Sequence, residues 1–266
     1  MKNLPLLSRK TTNPPGLPDL RDKVETTPDW LVAIHPALRL VMNKRARRVA
    51  LRLDPDRRIV RLVAPPRISQ KTLQNFALSH HGWVAEKLSA LPVPVPYHDR
   101  TQLPLCGRDI TLHINLDKTL KRTNISLKNN DIFISTYMDD VTGRLNRFFK
   151  RYALEHFTPL AQDKATRISR AITGLQVKDT KTRWGSCGHD GRICLSWRLI
   201  FAPPAAMDYV IAHEVAHLVH MDHSPYFWAL CADLSDDFST GKKWMKHHGH
   251  SLLAYGCSDD FSTRAA

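Results

Sequence analysis

Glutamate is scarce in this chain: among 266 residues only Glu25, Glu86, Glu155 and Glu214 occur. No Glu follows Glu214, which excludes any metal site whose last ligand is a glutamate further along the chain. Long apolar runs are also missing. No stretch approaches the ~18 apolar residues that a membrane-spanning helix requires, so no membrane partner is expected. The opening residues MKNLPLLSRKTTNPP carry the positive charges of Lys2, Arg9 and Lys10 but no sustained apolar stretch, so no signal peptide is expected. The five cysteines, Cys106, Cys187, Cys194, Cys231 and Cys257, are odd in number and form no CxxC pair. That argues against a secreted disulfide framework and for a reducing, cytoplasmic setting. Cys187, His189 and Cys194 lie near one another, but their spacing matches no common zinc pattern, and buried free thiols are expected. No internal repeat or low-complexity segment is present.

What is present is a globular composition, 42% apolar and 24% charged. The formal net charge is +14 and the pI about 9.8, which favours anionic partners. The segment RRVALRLDPDRRIVRLVAPP alternates apolar and basic residues around Asp54-Pro55-Asp56 and is expected to form a hairpin with Val49, Leu51 and Leu53 on one face. Arg47, Arg48, Arg52, Arg57, Arg58 and Arg61 concentrate there. They form either a solvated sheet face or a surface for a nucleotide or nucleic acid. No aromatic residues interleave the arginines, which favours the solvated face.

The expected class is α+β, a β-rich N-terminal region followed by a catalytic domain. Residues 1–28, rich in proline, are expected to be a disordered tail. Residues 29–136 should form a β-rich domain with one helix, from Ser69 as cap to about Ala90, and short strands at 109–115, 123–127 and 131–134. Residues 137–256 should form the catalytic domain, and 257–266 a C-terminal tail. The periodicity predicts a long helix from Asp139 to about Ile172, bent at Pro159 and ended by Gly174. Strands are expected near 175–179 and 193–197. Pro203-Pro204 should start the next helix.

That helix carries IAHEVAHLVHMDHSPYFW, residues 211–228. His213 and His217 are four apart and project from one side of a helix of 3.6 residues per turn, as two ligands of one zinc ion would. Glu214 is rotated by about 100° and can reach a water at the metal without ligating it, the HExxH arrangement with Glu as general base. Two histidines and a glutamate on a largely apolar helix cost desolvation unless they are paired or bind metal. A third ligand is needed. His220 lies about 10.5 Å from His213 along the axis if the helix continues, too far for one ion. His223 suits better, because Met221-Asp222-His223-Ser224-Pro225 supplies a turn, with Ser224 as cap and Pro225 as first residue of a new helix. Asp222 is a candidate partner for an imidazole.

With these residues in hand, the chain resembles the YgjP-like family of zinc-dependent metallopeptidases and, more distantly, the SprT-like proteases. Three segments carry the likeness: KTRWGSCGHDGRICLSWRLI at 181–200, DYVIAHEVAHLVHMDHSPYFW at 208–228 and KKWMKHHGHSLL at 242–253. The hairpin, HGWVAEKL at 81–88 and LCGRDITLHI at 105–114 add to it. The resemblance implies a zincin-like core holding Zn2+ on His213, His217 and His223, with Glu214 as base and a peptide or protein as substrate. One departure is Ser196, where the family often has Asn. In TRWGSC, Arg183 could grip an anionic or carbonyl oxygen while Gly185 permits close backbone approach. Equally, Trp184 could fill the core under the metal helix and Arg183 could pair with a carboxylate. Two other functions fit the same residues: a metal-dependent nucleoside triphosphate phosphohydrolase or pyrophosphohydrolase, and a nucleic-acid-associated module with a structural metal.

Overall fold

The computed structural model describes residues 23–180 and 182–257. The expected tails lie outside these residues over 1–22 and 258–266. The described chain has the mixed α and β architecture read from the sequence, and it divides into two compact units at Leu91/Pro92.

The first unit is a four-stranded sheet with helices. Its strands are β1 (Lys23–Thr26), β2 (Leu38–Asn43), β3 (Ala50–Asp54) and β4 (Ile59–Ala64), in the order β1-β2-β4-β3. β1 lies inside the stretch expected to be tail, paired antiparallel to β2 through Glu25↔Val41 and its neighbours. β3 and β4 are the expected hairpin, with Leu51 opposite Leu62 and Arg52 opposite Arg61. Leu38, Leu40, Val60 and Leu62 bury one face together with Leu31 of α1 (Asp29–Ile34), Leu73 and Ala77 of α2 (Gln70–Ser79) and Val84 of α3 (His81–Ser89). The single helix expected over 69–90 is thus two, broken at His80, whose φ of -113° and ψ of 10° leave the helical region. Ser69 caps the first, accepting from the Thr72 amide. Part of the basic hairpin is neutralised within the unit: Arg61 pairs with Asp54 at 2.6 Å and with Glu25 at 3.2 Å, and Arg57 with Glu25 at 2.7 Å.

The second unit opens with β5 (Gln102–Leu105), β6 (Arg108–Leu116), β7 (Asn124–Lys128) and β8 (Asp131–Thr136), ordered β5-β6-β8-β7. Asn129 and Asn130, at φ 50° and 66°, make the two-residue β7–β8 turn, a conformation asparagine tolerates. These strands were expected to belong with the N-terminal domain. They fall instead in the unit that carries the histidines, because Ile110, Leu112, Ile132 and Ile134 join its core. α4 (Thr142–Arg167) follows, and Pro159 stands inside it. The helix ends before Gly174: Ser169 turns left-handed at φ 53°, and Gly174 begins β9 (Gly174–Lys178). Leu145, Phe149, Ala153, Phe157, Ala161 and Ala165 form a buried stripe at four-residue spacing along α4.

β9, β10 (Gly185–Cys187) and β11 (Arg192–Ser196) form a sheet ordered β10-β11-β9, with β11 antiparallel to β10 and parallel to β9. A 3-10 turn at Trp197–Phe201 leads to α5 (Pro204–Ala216), begun by Pro203-Pro204 as expected. Every residue of α5 from Ala206 to Ala216 is buried, so the helix is the centre of its unit and not a surface element. α6 (Pro225–Leu234), α7 (Phe238–His248) and a 3-10 segment at Gly249–Ala254 complete the unit. A buried ion pair anchors α5. Lys164 of α4 lies 2.5 Å from Asp208 and donates to the Leu234 carbonyl at 2.7 Å, while Asp208 accepts from the Asp236 amide at 2.8 Å. Among the described residues, no helix is long and apolar enough to cross a membrane.

Candidate metal centre

The site is built at the C-terminal end of α5. His213 and Glu214 occupy its last turn and His217 is its C-cap, so the helix ends earlier than the sequence suggested. The chain does not run straight on to His220. The amides of Leu218 and Val219 reach the carbonyls three residues back, Val215 and Ala216, at 2.9 and 3.1 Å, and tighten the helix end. That turn places the His220 carbonyl 2.9 Å from Nδ1 of His217. A carbonyl can only accept, so Nδ1 carries the proton and the lone pair of His217 is on Nε2. His220 therefore contributes its backbone to the site.

Residues 221–225 form the turn expected of them. Ser224 accepts from the Phe227 amide at 3.4 Å and Pro225 opens α6. Asp222 accepts from the Ser224 amide at 3.2 Å. It holds the turn, and no imidazole bonds to it among the described residues. Hydrogen bonds from Ser224 keep its carboxyl below the usual range.

The turn returns His223 to the helix. Its Nε2 stands 3.2 Å from Nε2 of His213, and the ligating atoms of His213, His217 and His223 all lie within 4.8 Å of one another. Two nitrogens at ~2.0–2.1 Å from a tetrahedral zinc are about 3.3 Å apart, so the His213–His223 spacing fits one edge of such a shell. His220 is outside this group. Phe227, fully buried, packs its ring 4.6 Å from His217, 4.7 Å from His223 and 4.9 Å from His213, forming a common apolar floor.

Electrostatics suit a cation. Burial, the two neighbouring imidazoles and Lys242 push His213 down to about 3. Burial likewise lowers His217 and His223. All three are neutral at pH 7, the form that donates a lone pair. The Nδ1 of His213 is buried without a hydrogen-bond partner among the described residues.

Glu214 is buried beside these rings. Burial raises its carboxyl to about 8, opposed by the charge of Arg183. Gly185 of β10 explains how the carboxylate fits, since a Cβ there would stand 2.7 Å from Cδ of Glu214. The close approach read from Gly185 is thus to Glu214. Arg183 is exposed and makes no ion pair among the described residues. Trp184 is half-buried against the core, its Nε1 close to Gly249 past the end of α7, and its carbonyl accepts from the Ser196 amide at 2.8 Å. Ser196 is fully buried with no partner for its hydroxyl among the described residues. Cys187 and Cys194 are free and half-buried, and neither joins the histidine group. The sequence reading missed Phe227, Lys242 and Trp228, although the YFW that follows Ser-Pro was a signal that aromatic rings stand next to the third histidine.

Three convergent imidazoles beside a buried carboxylate could hold a metal ion. A family model described as the YgjP-like metallopeptidase domain matches residues 47–248. That span covers most of the chain and all residues of the site, and the chain belongs to the YgjP-like family, with a metallopeptidase-type hydrolase domain. No curated protein and no solved structure matches it.

Proposed function

We propose that the protein is a zinc-dependent metallopeptidase in which His213, His217 and His223 hold the ion and Glu214 is the general base. The convergence of the three ring nitrogens within 4.8 Å carries this reading. A zinc ion held there supplies Lewis acidity toward a peptide carbonyl and toward water. The His220 carbonyl orients His217, and burial keeps His213 ready to donate its lone pair. Glu214 takes a proton from water as the oxygen adds to the scissile carbonyl. It then passes the proton to the amine nitrogen as the C–N bond breaks. A carboxyl raised by burial is well matched to that task near neutrality, and a nearby cation favours its ionised form. Arg183, whose charge reaches Glu214, is suited to hold the carbonyl oxygen of the substrate. Trp184 follows Arg183 and Gly185 begins β10.

The test is hydrolysis of a mixed peptide panel and of nucleoside triphosphates by the zinc-loaded protein and by Glu214→Gln. The expected result is peptide cleavage that falls by about 10²–10⁴-fold in the variant. Triphosphate hydrolysis without peptide cleavage contradicts the reading.

A further inference from the structure

Lys242 is exposed on α7, and its Nζ stands 3.9 Å from the centroid of the Trp228 ring and 4.9 Å from that of Phe238. Phe238 is one turn earlier on the same helix, so the second contact is a local i,i+4 pair. The first is tertiary. The Trp228 ring also lies 5.7 Å from His213 and 5.6 Å from His223. One indole therefore neighbours the ammonium and two of the three imidazoles.

The register of α7 is fixed beside this lysine. At Gly241 a Cβ would stand 2.6 Å from Cβ of Tyr209 on α5, so only a residue without a side chain lets the two helices lie this close. Lys242 is the next residue, and the packing of α7 on α5 holds it beside the site. Among the described residues it makes no ion pair and no hydrogen bond. The face of an aromatic ring holds an ammonium in place without neutralising it. An ammonium so placed beside the histidine cluster, with its hydrogen-bond donors unused, is a receptor for an anion, and a single point charge matches a monoanion.

We propose that Lys242 is a specificity-determining residue that binds a carboxylate of the substrate, so that the enzyme favours peptides with a carboxylate close to the scissile bond. The inference rests on the metallopeptidase reading above. The carboxylate has two sources, the C-terminus of a short peptide or an acidic side chain, and matched pairs separate them: one peptide as free acid and as amide, and one internal sequence with Glu and with Gln.

The experiment measures kcat/KM for both pairs with zinc-loaded wild type, Lys242→Met and Lys242→Arg. The acidic member of at least one pair is expected to be favoured by about ten- to a hundredfold, the scale of one charge-assisted contact. Lys242→Met should bring that ratio close to one while zinc content stays unchanged, and Lys242→Arg should keep most of the preference. A ratio in Lys242→Met equal to that of wild type, or no preference in wild type, overturns the proposal while the peptidase reading stands. Cleavage of none of the peptides removes both.

Discussion

Gly185 of β10 lies directly against Glu214 of α5: a methyl group on Gly185 would stand 2.5 Å from Cγ of Glu214. The backbone of β10 is thus one wall of the carboxylate's cavity. Gly185→Ala is expected to push Glu214 off its position. Peptide hydrolysis should fall by about tenfold or more, with a stability loss of about 1–3 kcal/mol from overpacking, while zinc content stays near one ion per chain. Kinetics with metal analysis on the same preparation check this. Undiminished hydrolysis would mean that the fit of Glu214 against β10 is irrelevant to its role.

Much of this site was legible in the sequence, and the reasons for the gaps are physical. The HExxH spacing brings His213 and His217 to one side of α5 because a helix repeats every 3.6 residues, and Ser224-Pro225 marks a helix start by local capping, so both are properties of short segments. The end of α5 is hidden because VHMD carries no glycine or proline to stop a helix, and the last turn instead tightens to three-residue bonds, Leu218 to Val215 and Val219 to Ala216. The break at His80 and the early end of α4 at Ser169 have the same character: neither position holds glycine or proline. Lys164 and Asp208, 44 positions apart, meet only through tertiary packing, as do Lys242 and Trp228. The allegiance of β5–β8 was hidden too, since alternation in a strand tells which face is buried but not against what.

Burial of Glu214 and of His213 makes stability depend on pH in opposite directions. Glu214 has its folded-state pKa raised from 4.5 to about 8. The native state therefore holds a proton that the unfolded state gives up, and stability falls as pH rises through that window. In metal-free protein Glu214→Gln should gain about 1–3 kcal/mol at pH 8 over wild type, with the gain vanishing below the unfolded value. Urea midpoints of both proteins across pH check it. A variant less stable than wild type at pH 8 would contradict the burial argument.

His213 has its folded-state pKa lowered from 6.5 to about 3. Between those values the unfolded chain takes up a proton that the native state refuses, so stability is lost as pH falls below the unfolded value. Metal-free His213→Asn should lack this term and lose about 1–2 kcal/mol less than wild type between pH 7 and pH 5. Parallel slopes for the two proteins would show that His213 is not buried as a neutral ring.

Lys164→Met leaves Asp208 buried without its partner and should cost about 3–5 kcal/mol. Replacing both, as Lys164→Met with Asp208→Leu, should recover part of that loss, although the Asp236 amide then loses its acceptor. Denaturant unfolding of the two variants measures the difference. Equal loss in both would mean that the pair is not an isolated buried charge couple.

The measurement that bears most directly on the metal centre is zinc affinity, by competition with a chromophoric chelator, for wild type, His223→Ala and His220→Ala. One zinc per chain is expected in wild type. His223→Ala should weaken binding by orders of magnitude, because it removes one of the three proposed ligands. His220→Ala should bind nearly as wild type, since the part of His220 that orients His217 is its carbonyl, which alanine keeps. The reverse order, with His220→Ala the weaker binder, would contradict the assignment of His213, His217 and His223 as the ligands.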